Sequence, residues 1–466
     1  MLLTYVQILP SGTQPASGLA LAPFRGLRYA QDRVSGLAEV TSPPYDVIAH
    51  DAEDHLLASD PHNVVRLILP RRDAGDTAPA RTGAAGPAPA GLANGDAPAG
   101  TSYADAAGLL RDWQAEGILV PDPEPALYVY EQSLPAGPVL QRGLIGALQL
   151  APLGAGPVLP HEDVIPGPVT GRRQLMEATE ANLEPIFLLY QGGNGAATEL
   201  VDTIAGSRVP LAEASTPDGL RHRLWAITEP DELCAIAADL APRTALIADG
   251  HHRYAAYLQL QDRQRHVGAG GGPWDCGLAL LVDSTAYPPQ LGAIHRVVTG
   301  LVPETAARLA ASAFTVRELP GGTTDVQAAL AALDDACKRD PIAYLLAGDG
   351  RIYLLTDPDP RQVSVAVPDY PAELWQQLPA AVLEGLLFAR IWAIEDDARS
   401  VRAIHDATEA IKAADSEPAG TAVICGAMSA TQVYEVAALG RRVPRKSTSF
   451  GPKPRTGLVM RLFAEG

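Results

Sequence analysis

The sequence predicts a mixed α/β fold (α/β or α+β), in which helices pack against mixed sheets. Short apolar runs such as residues 276–282 have the length and composition of buried strands. Between these runs lie segments whose apolar residues recur three and four positions apart, as they do in helices. Strands that alternate with helices in this way are typical of α/β layers.

Several segments along the chain are predicted as strands. Residues 127–131 and 143–150 are expected to pair, because Pro135 to Pro138 supply a turn between them. Gly348-Asp349-Gly350 indicates a second hairpin. The predicted strands are 63–69, 127–131, 143–150, 185–190, 222–227, 244–248, 276–282, 291–298, 342–346, 352–356, 421–425 and 458–463. Helices are predicted from about residue 103, at 170–182, from about 229, directly after Gly250, and around 372–394.

Composition divides the 466 residues into three predicted domains. The first, 1–135, is an α/β region with an Ala-, Gly- and Pro-rich insertion at 71–100 that is expected to be disordered, because it has little to bury. The second, 136–300, carries a polar motif, Asp249 to Tyr254. The third, 301–466, is an α/β region with a basic loop.

Charge and cysteine content narrow the possible partners. A net charge of −18 argues against general binding to nucleic acid or to an anionic membrane. The four cysteines are far apart in the sequence, so neither a disulfide scaffold nor a structural zinc site is expected. No signal peptide and no long apolar span is recognisable, which predicts a cytoplasmic protein. The oligomeric state is left open.

A polar motif, Asp249-Gly250-His251-His252-Arg253, stands between a predicted strand and a predicted helix. Asp249 is expected to cap the helix, and Gly250 lets a ligand approach the backbone closely. Two imidazoles and a guanidinium would then lie at the positive end of the helix, where anions bind. The alternative is a capped surface helix whose first turn faces water.

Two further motifs present polar residues from loops. Pro43-Pro44 holds an extended backbone that presents Tyr45 and Asp46, although a purely structural turn explains the same pattern. His161 and Glu162 follow an apolar run and precede a helix whose first turn is expected to contain Arg172.

The end of the chain contains a basic segment, 441–457, with six basic residues and no acid. Lys446, Ser447 and Thr448 within it form a candidate phosphate clamp, because an apolar run that follows would anchor the loop. A solvated terminal run is the alternative. His295 and Arg296 lie within another apolar segment and are candidate substrate-binding residues.

This mixture of cations, imidazoles and carboxylates suits phosphoryl transfer, where cations neutralise the phosphoryl group and a carboxylate deprotonates a hydroxyl. A histidine metal site competes with this interpretation, yet no His-x-x-x-His pair is present. A serine or cysteine nucleophile is disfavoured, because no Gly-x-Ser-x-Gly elbow occurs. No P-loop occurs either, and the identity of any bound metal is left open.

Five motifs occur in order along the chain: Pro43-Pro44-Tyr45-Asp46-Val47-Ile48, His161-Glu162, Ala248 to Tyr254, His295-Arg296, and Lys446-Ser447-Thr448 with Pro452-Lys453 and Thr456-Gly457. Together they resemble domain-of-unknown-function family 1015. The Asp-Gly-His-His-Arg core also resembles the ParB/sulfiredoxin superfamily, which implies a nucleotide-binding core with additional α/β elements. Sulfiredoxins have a reactive cysteine, and ParB proteins an acidic residue, where this chain has His251. The start of the motif is closest to that of the free serine kinases.

The resemblance implies a phosphotransferase that uses ATP or ADP with Mg²⁺ on a small hydroxyl metabolite such as serine, or a phosphoserine phosphatase working in reverse. Asp249, Gly250, His251, His252 and Arg253, with Lys446, Ser447 and Thr448, would hold the nucleotide or its phosphates. Catalytic roles are predicted for Glu162 or Asp46 as general base, and for His161 and His252. Substrate contacts are predicted for Tyr45, Arg172, His295 and Arg296. A non-catalytic nucleotide-binding switch and a scaffold protein are the alternatives.

Overall fold

The computed structural model of the chain describes residues 18–48, 50–71, 103–193, 195–367, 372–395 and 400–465. The chain forms two compact units. The first comprises Met1–Pro160, Val164–Pro288 and Pro452–Gly466, and the second comprises His161–Asp163 and Pro289–Gly451. The three-domain division of the sequence stays a prediction, and the insertion predicted at 71–100 lies, except for Arg71, outside the described residues.

A nine-stranded mixed sheet forms the centre of the first unit. In spatial order its strands are Val158–Leu159, Ala245–Asp249, Ile186–Tyr190, Cys276–Asp283, Val139–Gln149, Leu127–Ser133, Arg221–Ile227 and Ala212–Ser215, and Leu21–Ala22 pairs with Val139–Gln149. Two of its strand pairs are parallel, and the others are antiparallel. All residues of Ile186–Tyr190 and Cys276–Asp283 are buried, because helices cover the sheet.

The C-terminal segment of the chain completes a smaller sheet in the same unit. Met460–Leu462 pairs with Gly26–Tyr29 on one side and with Ala181–Asn182 on the other, and Leu119–Pro121 forms the remaining edge. The helices of the first unit are Leu37–Val40, His50–Ser59, Val65–Ile68, Tyr103–Ala115, Pro166–Thr179, Ala196–Ser207, Pro230–Leu240 and His251–His266, with 3₁₀ turns at Tyr45–Val47, Pro273–Asp275 and Phe463–Glu465.

The second unit is built on a six-stranded antiparallel sheet. Its strands, in spatial order, are Thr315–Glu318, Arg351–Thr356, Tyr344–Gly348, Gly420–Cys425, His295–Thr299 and Val401–Ile404. A separate two-stranded ribbon pairs Gln290–Ala293 with Thr448–Gly451. The helices of the second unit are Pro303–Ala310, Val326–Cys337, Pro360–Ala366, Ala372–Trp375, Pro379–Val382, Ala407–Asp415 and Ala430–Ala438. This unit also contains a 3₁₀ turn at Gly322–Thr324 and a π-helix at Leu383–Trp392.

The predicted mixed α/β class is confirmed, and so are both predicted hairpins. Two local predictions were wrong. Residues 63–69 contain a short helix, Val65–Ile68, because the Asn63 side chain accepts the amide proton of Val65 at 2.9 Å and so starts a helical turn. The helix predicted at 170–182 begins at Pro166, which places Arg172 in its second turn.

Within the described ranges, no helix is long and apolar enough to cross a membrane.

Candidate functional site

The residues that the sequence singles out divide between the two units. Tyr45, Asp46, Arg172 and the motif Asp249 to Arg253 belong to the first unit, whereas His161, Glu162, His295, Arg296 and the Lys446-Ser447-Thr448 loop belong to the second.

In the first unit, the strand Ala245–Asp249 passes directly into the helix His251–His266, called here the motif helix. Gly250 makes the connection with φ 94° and ψ 28°, a left-handed conformation that favours glycine. The first hydrogen bond of the helix is donated by the backbone amide of Tyr254 to the carbonyl of Gly250, at 2.9 Å. The amides before Tyr254 therefore project from the N-terminal end of the helix, where its dipole is positive.

Asp249 does not cap the motif helix, contrary to the sequence prediction. The residue at the N-cap position is Gly250, and no side chain accepts a capping hydrogen bond there. The buried carboxylate of Asp249 instead accepts a bond from Arg253, one turn along the helix, at 2.5 Å and pairs with the ammonium group of Lys453. Burial alone would raise the pKa of Asp249, but Lys453 and Arg253 outweigh it and lower that pKa.

Arg253 lies within the protein, with only 3% of its surface exposed. It donates to the carbonyl of Pro185 at 2.6 Å and lies 3.8 Å from the carboxylate of Asp46. Among the described residues its Nε has no hydrogen-bond partner. Burial disfavours its charge, but Glu184, Asp249 and Asp46 more than compensate and raise the pKa of Arg253. The guanidinium thus ties the motif helix to surrounding loops as well as contributing charge.

Tyr45 and Arg172 form a second layer beside this group. The guanidinium of Arg172 lies 4.2 Å from the centre of the Tyr45 ring, a cation–π distance, and 3.7 Å from Glu184. Glu184 accepts the backbone amide proton of Tyr45 at 3.0 Å, which fixes the turn that presents Asp46. Burial raises the pKa of Glu184 even though Arg253 and Arg172 act to lower it.

The two motif histidines occupy the first two positions of the motif helix and are half-buried. His252 accepts the backbone amide proton of Ile165 through Nε2 at 3.1 Å, which leaves the proton of a neutral ring on Nδ1. His252 is therefore held in one orientation by the segment that leads into the helix Pro166–Thr179.

Two residues of this group were missed by the sequence reasoning about the site, Glu184 and Lys453. Lys453 is held in place through its neighbours. Gln132 donates to the carbonyl of Lys453 at 3.0 Å, and Gln141 donates to that of Pro452 at 2.7 Å. Two prolines flank Lys453 and keep its backbone extended. The Pro-Lys-Pro sequence is the signal that could have identified it.

In the second unit, a hydroxyl lies between an imidazole and a carboxylate. Thr448 donates to Glu162 at 3.1 Å, and His161 Nε2 lies 2.9 Å from the same hydroxyl oxygen. Since the hydroxyl proton goes to Glu162, His161 Nε2 acts as the donor to Thr448. His161 is almost fully buried, and its ring packs edge-on against Phe450. Sequence reasoning predicted these three residues, and the structure joins them.

Arg296 supports the basic loop through its guanidinium. It donates to the carbonyls of Lys446 and Arg445, at 3.1 and 3.2 Å. Ser447 donates to the carbonyl of Pro444, and Lys446 itself has φ 54°. Arg296 and Ser447 therefore fix the shape of the loop, and the substrate and phosphate contacts predicted for them stay predictions.

His295 lies inside the second unit. It accepts the amide proton of Cys425 through Nδ1 at 3.2 Å, and burial lowers its pKa to about 4. This imidazole is neutral at pH 7 and part of the sheet, so its predicted substrate contact stays a prediction.

Over the described part of the chain, no group of three or more His, Cys, Asp or Glu side chains is arranged to hold a metal ion.

Comparison with known proteins gives one family. No curated protein matches the chain. Among solved structures, a free serine kinase mutant in complex with ADP is 15% identical with a TM-score of 0.32, and the match covers 65% of this chain and 88% of that chain. A conserved hypothetical protein from Pyrococcus furiosus is 15% identical with a TM-score of 0.33, covering 66% and 94%. SbnI with a C-terminal truncation, from Staphylococcus aureus, is 11% identical with a TM-score of 0.33, covering 68% and 87%.

The family described as "Protein of unknown function (DUF1015)" matches residues 21–381, which is most of the chain. The chain therefore belongs to the DUF1015 family.

Proposed function

We propose that this protein is a nucleotide-dependent phosphotransferase that acts on a small hydroxyl metabolite. The observation that carries the proposal is the start of the motif helix, where the uncapped N-terminal amides lie beside Arg253 and Lys453. Serine and phosphoserine are the first substrates to test, because the Asp-Gly-His-His motif resembles that of the free serine kinases.

The charge balance of this group favours an anionic ligand. Arg172, Arg253 and Lys453 face the carboxyl groups of Asp249, Glu184 and Asp46. Burial raises the pKa of Glu184 and so acts against its negative charge, which weakens the compensation of these cations. A phosphate at the helix N-terminus would pair with the cations and accept bonds from the backbone amides.

Gly250 supports the same ligand by its shape. A Cβ at this position would lie 3.0 Å from the Ile186 side chain and 3.2 Å from Nε of Arg253. The absence of a side chain lets the backbone turn tightly at the point where a phosphate would approach.

Asp46 and Glu162 are the two candidates for the general base. The side chain of Asp46 is 31% exposed and lies 3.8 Å from Arg253, so a substrate hydroxyl can reach it from solvent. Glu162 is 19% exposed and accepts a bond from Thr448. Asp46→Asn and Glu162→Gln variants separate the two, because only loss of the base removes the chemical step while nucleotide binding persists.

Mg²⁺ would reach such a site with the nucleotide. It retains several waters and needs only one or two carboxylates in addition to phosphate oxygens. Asp46 is the carboxylate of this group with the most exposed side chain and could supply that contact. When bound, the ion would neutralise charge on the phosphates.

The test incubates the purified protein with serine, Mg²⁺ and ATP or ADP, and separately with phosphoserine, and follows phosphate exchange. We expect His252→Ala to lower the rate at least about tenfold, since His252 fixes the approach to the helix start. His266→Ala is the matched control, because this exposed histidine ends the same helix. Equal rates for wild type and His252→Ala would reject the site.

A nucleotide-binding switch without catalysis is the competing function. It predicts that ATP or ADP raises the melting temperature by binding to the native state, while no phosphate transfer depends on Asp46 or Glu162. Absence of both binding and transfer would contradict both functions.

A further inference from the structure

The second unit contains a groove that none of the candidate site residues lines. Its volume is ≈ 590 Å³, within the roughly 300–1,000 Å³ range of small-molecule sites. The lining comes from the end of the helix Pro303–Ala310, the helix Pro360–Ala366 and the π-helix. The lining residues are Arg308, Leu309, Ser312, Gln362, Leu386, Arg390 and Ile391.

Two guanidinium groups give this groove its charge. Arg308 and Arg390 are both exposed, and within the described residues neither forms an ion pair. Glu304, one helical turn before Arg308, lies 3.5 Å from Arg351 instead. No described lining residue is a carboxylate, although the whole chain carries a net charge of −18. Uncompensated arginines on an acidic protein favour an anionic ligand.

The rest of the lining consists of three apolar side chains and two uncharged polar ones. Leu309 and Ile391 are half-buried and provide most of the apolar surface, whereas Leu386 is almost fully buried, and Ser312 offers a hydroxyl. The Gln362 amide is oriented by its bond to the Ser312 carbonyl at 2.7 Å. An apolar surface with a few oriented polar groups is what a small organic ligand requires.

The π-helix that carries Arg390 is a second, independent indication. Such helices are rare and occur often at functional sites. Gly385 allows this one to pack closely, since a Cβ there would lie 2.8 Å from the Ala366 carbonyl oxygen. Its last residue, Trp392, donates to the carbonyl of Ala306 at 3.2 Å, which joins the π-helix to the helix that carries Arg308.

We propose that this groove binds a dianionic phosphomonoester with an apolar body. Each guanidinium can donate two bonds to a phosphate group, and the two together would offset its two charges, while the leucine and isoleucine side chains would cover the apolar part. This site is independent of the proposed phosphotransferase site, because its residues belong to neither candidate group.

Phenyl phosphate is the probe. Inorganic phosphate and phenol are measured alongside it, because each represents one part of the probe, the phosphate group and the apolar ring. Titration calorimetry compares wild type with Arg308→Gln, Arg390→Gln and the matched control Arg339→Gln, an exposed arginine of the same unit that does not line the groove. The same titrations are repeated in a Lys453→Gln background, which removes a cation of the proposed phosphotransferase site and so separates binding there from binding in the groove. We expect each groove variant to weaken binding at least about tenfold, and the control to leave it unchanged.

A local signal identifies where the probe binds. Protein labelled with 5-fluorotryptophan gives a fluorine resonance for Trp392, assigned with Trp392→Phe, and we expect phenyl phosphate to shift it in wild type and in Arg339→Gln. Three outcomes would each overturn the proposal: binding in Arg308→Gln and Arg390→Gln that is as tight as in wild type, absence of binding in wild type, or a Trp392 resonance that does not move.

Discussion

The ammonium group of Lys453 forms an ion pair with the carboxylate of Asp249, although 204 positions separate the two residues in the chain. Asp249 ends a central strand, whereas Lys453 lies in the C-terminal segment that returns to the first unit. The pair therefore fastens that segment to the start of the motif helix. Burial opposes the charge of Lys453, but the carboxylates of Asp249 and Asp46 together outweigh burial and raise the pKa of Lys453.

A double-mutant cycle measures this pair. Lys453→Met leaves Asp249 with only Arg253 as a charged partner, and we expect a loss of about 2 kcal/mol in the free energy of unfolding. Asp249→Asn leaves two buried cations near a neutral amide and should cost at least as much. Urea unfolding of the single and double variants should give a coupling energy of about 1 kcal/mol or more.

The matched control for this cycle is Lys412→Met, because Lys412 is an exposed lysine that forms no side-chain ion pair with any described residue. Its expected effect lies within about 0.5 kcal/mol. A coupling energy near zero between Lys453 and Asp249 would show that the contact does not contribute to stability.

Local patterns in the sequence were sufficient for much of the fold. The continuous apolar run that became Cys276–Asp283 reads as a buried strand because every residue in it is buried. The Gly348-Asp349-Gly350 hairpin follows from positive φ angles at all three residues, which these residue types tolerate. The strand prediction from a short apolar run was wrong where one polar side chain decided the local structure, as Asn63 did.

The composition of the candidate sites was harder to predict. The motif residues Asp249 to Arg253 and the pair Glu162 and Thr448 were recognisable in the sequence as candidate site residues. Lys453, the second partner of Asp249, was not. An N-cap role for Asp249 is the local expectation, and it was overridden by Lys453, a residue that only tertiary structure brings near. Glu184 likewise acquires its role from Arg172 and the amide of Tyr45, neither of which is adjacent in sequence.

Gly250 provides a second prediction, with Gly268 as its control. Both have left-handed backbones, at φ 94° and 81°, near opposite ends of the motif helix. A Cβ at Gly268 meets nothing within 4 Å, whereas one at Gly250 meets Ile186 at 3.0 Å. We expect Gly268→Ala to cost about 1 kcal/mol from the backbone alone, and Gly250→Ala about 2 kcal/mol or more.

The same two variants test the helix start as a ligand site. ATP should raise the melting temperature of Gly268→Ala as much as that of wild type, and that of Gly250→Ala much less. Equal ligand effects in both variants would separate Gly250 from nucleotide binding.

His222 gives a prediction about pH. It lies 2.8 Å from the Tyr130 hydroxyl and 3.0 Å from that of Thr216, and burial lowers its pKa from 6.5 to about 4. As pH falls from 6.5 towards 4, the unfolded chain takes up a proton that the native ring does not bind. Native stability therefore declines over this window by on the order of 3 kcal/mol, and His222 contributes no pH dependence above it.

His222→Gln tests the sign, because glutamine does not titrate. The variant should lack this part of the decline between pH 6.5 and pH 4, so its stability difference from wild type shrinks as pH falls. An NMR titration should place the midpoint of the His222 ring near 4. A midpoint near 6.5 would contradict the structural basis of the prediction.

Thr448 tests the role of the link between His161 and Glu162. The hydroxyl donates to Glu162 and accepts from His161 Nε2, so Thr448→Val removes both bonds with little change of volume and leaves the carboxylate without this donor. If Glu162 is the base of the proposed reaction, Thr448→Val should lower kcat about tenfold or more with little change in KM, because the base loses a bond that positions it. Thr448→Ser keeps the hydroxyl and should restore the wild-type pH profile. A loss of activity that serine does not rescue would indicate a packing role for the threonine methyl group, and unchanged kcat in Thr448→Val would leave Asp46 as the remaining candidate for the base.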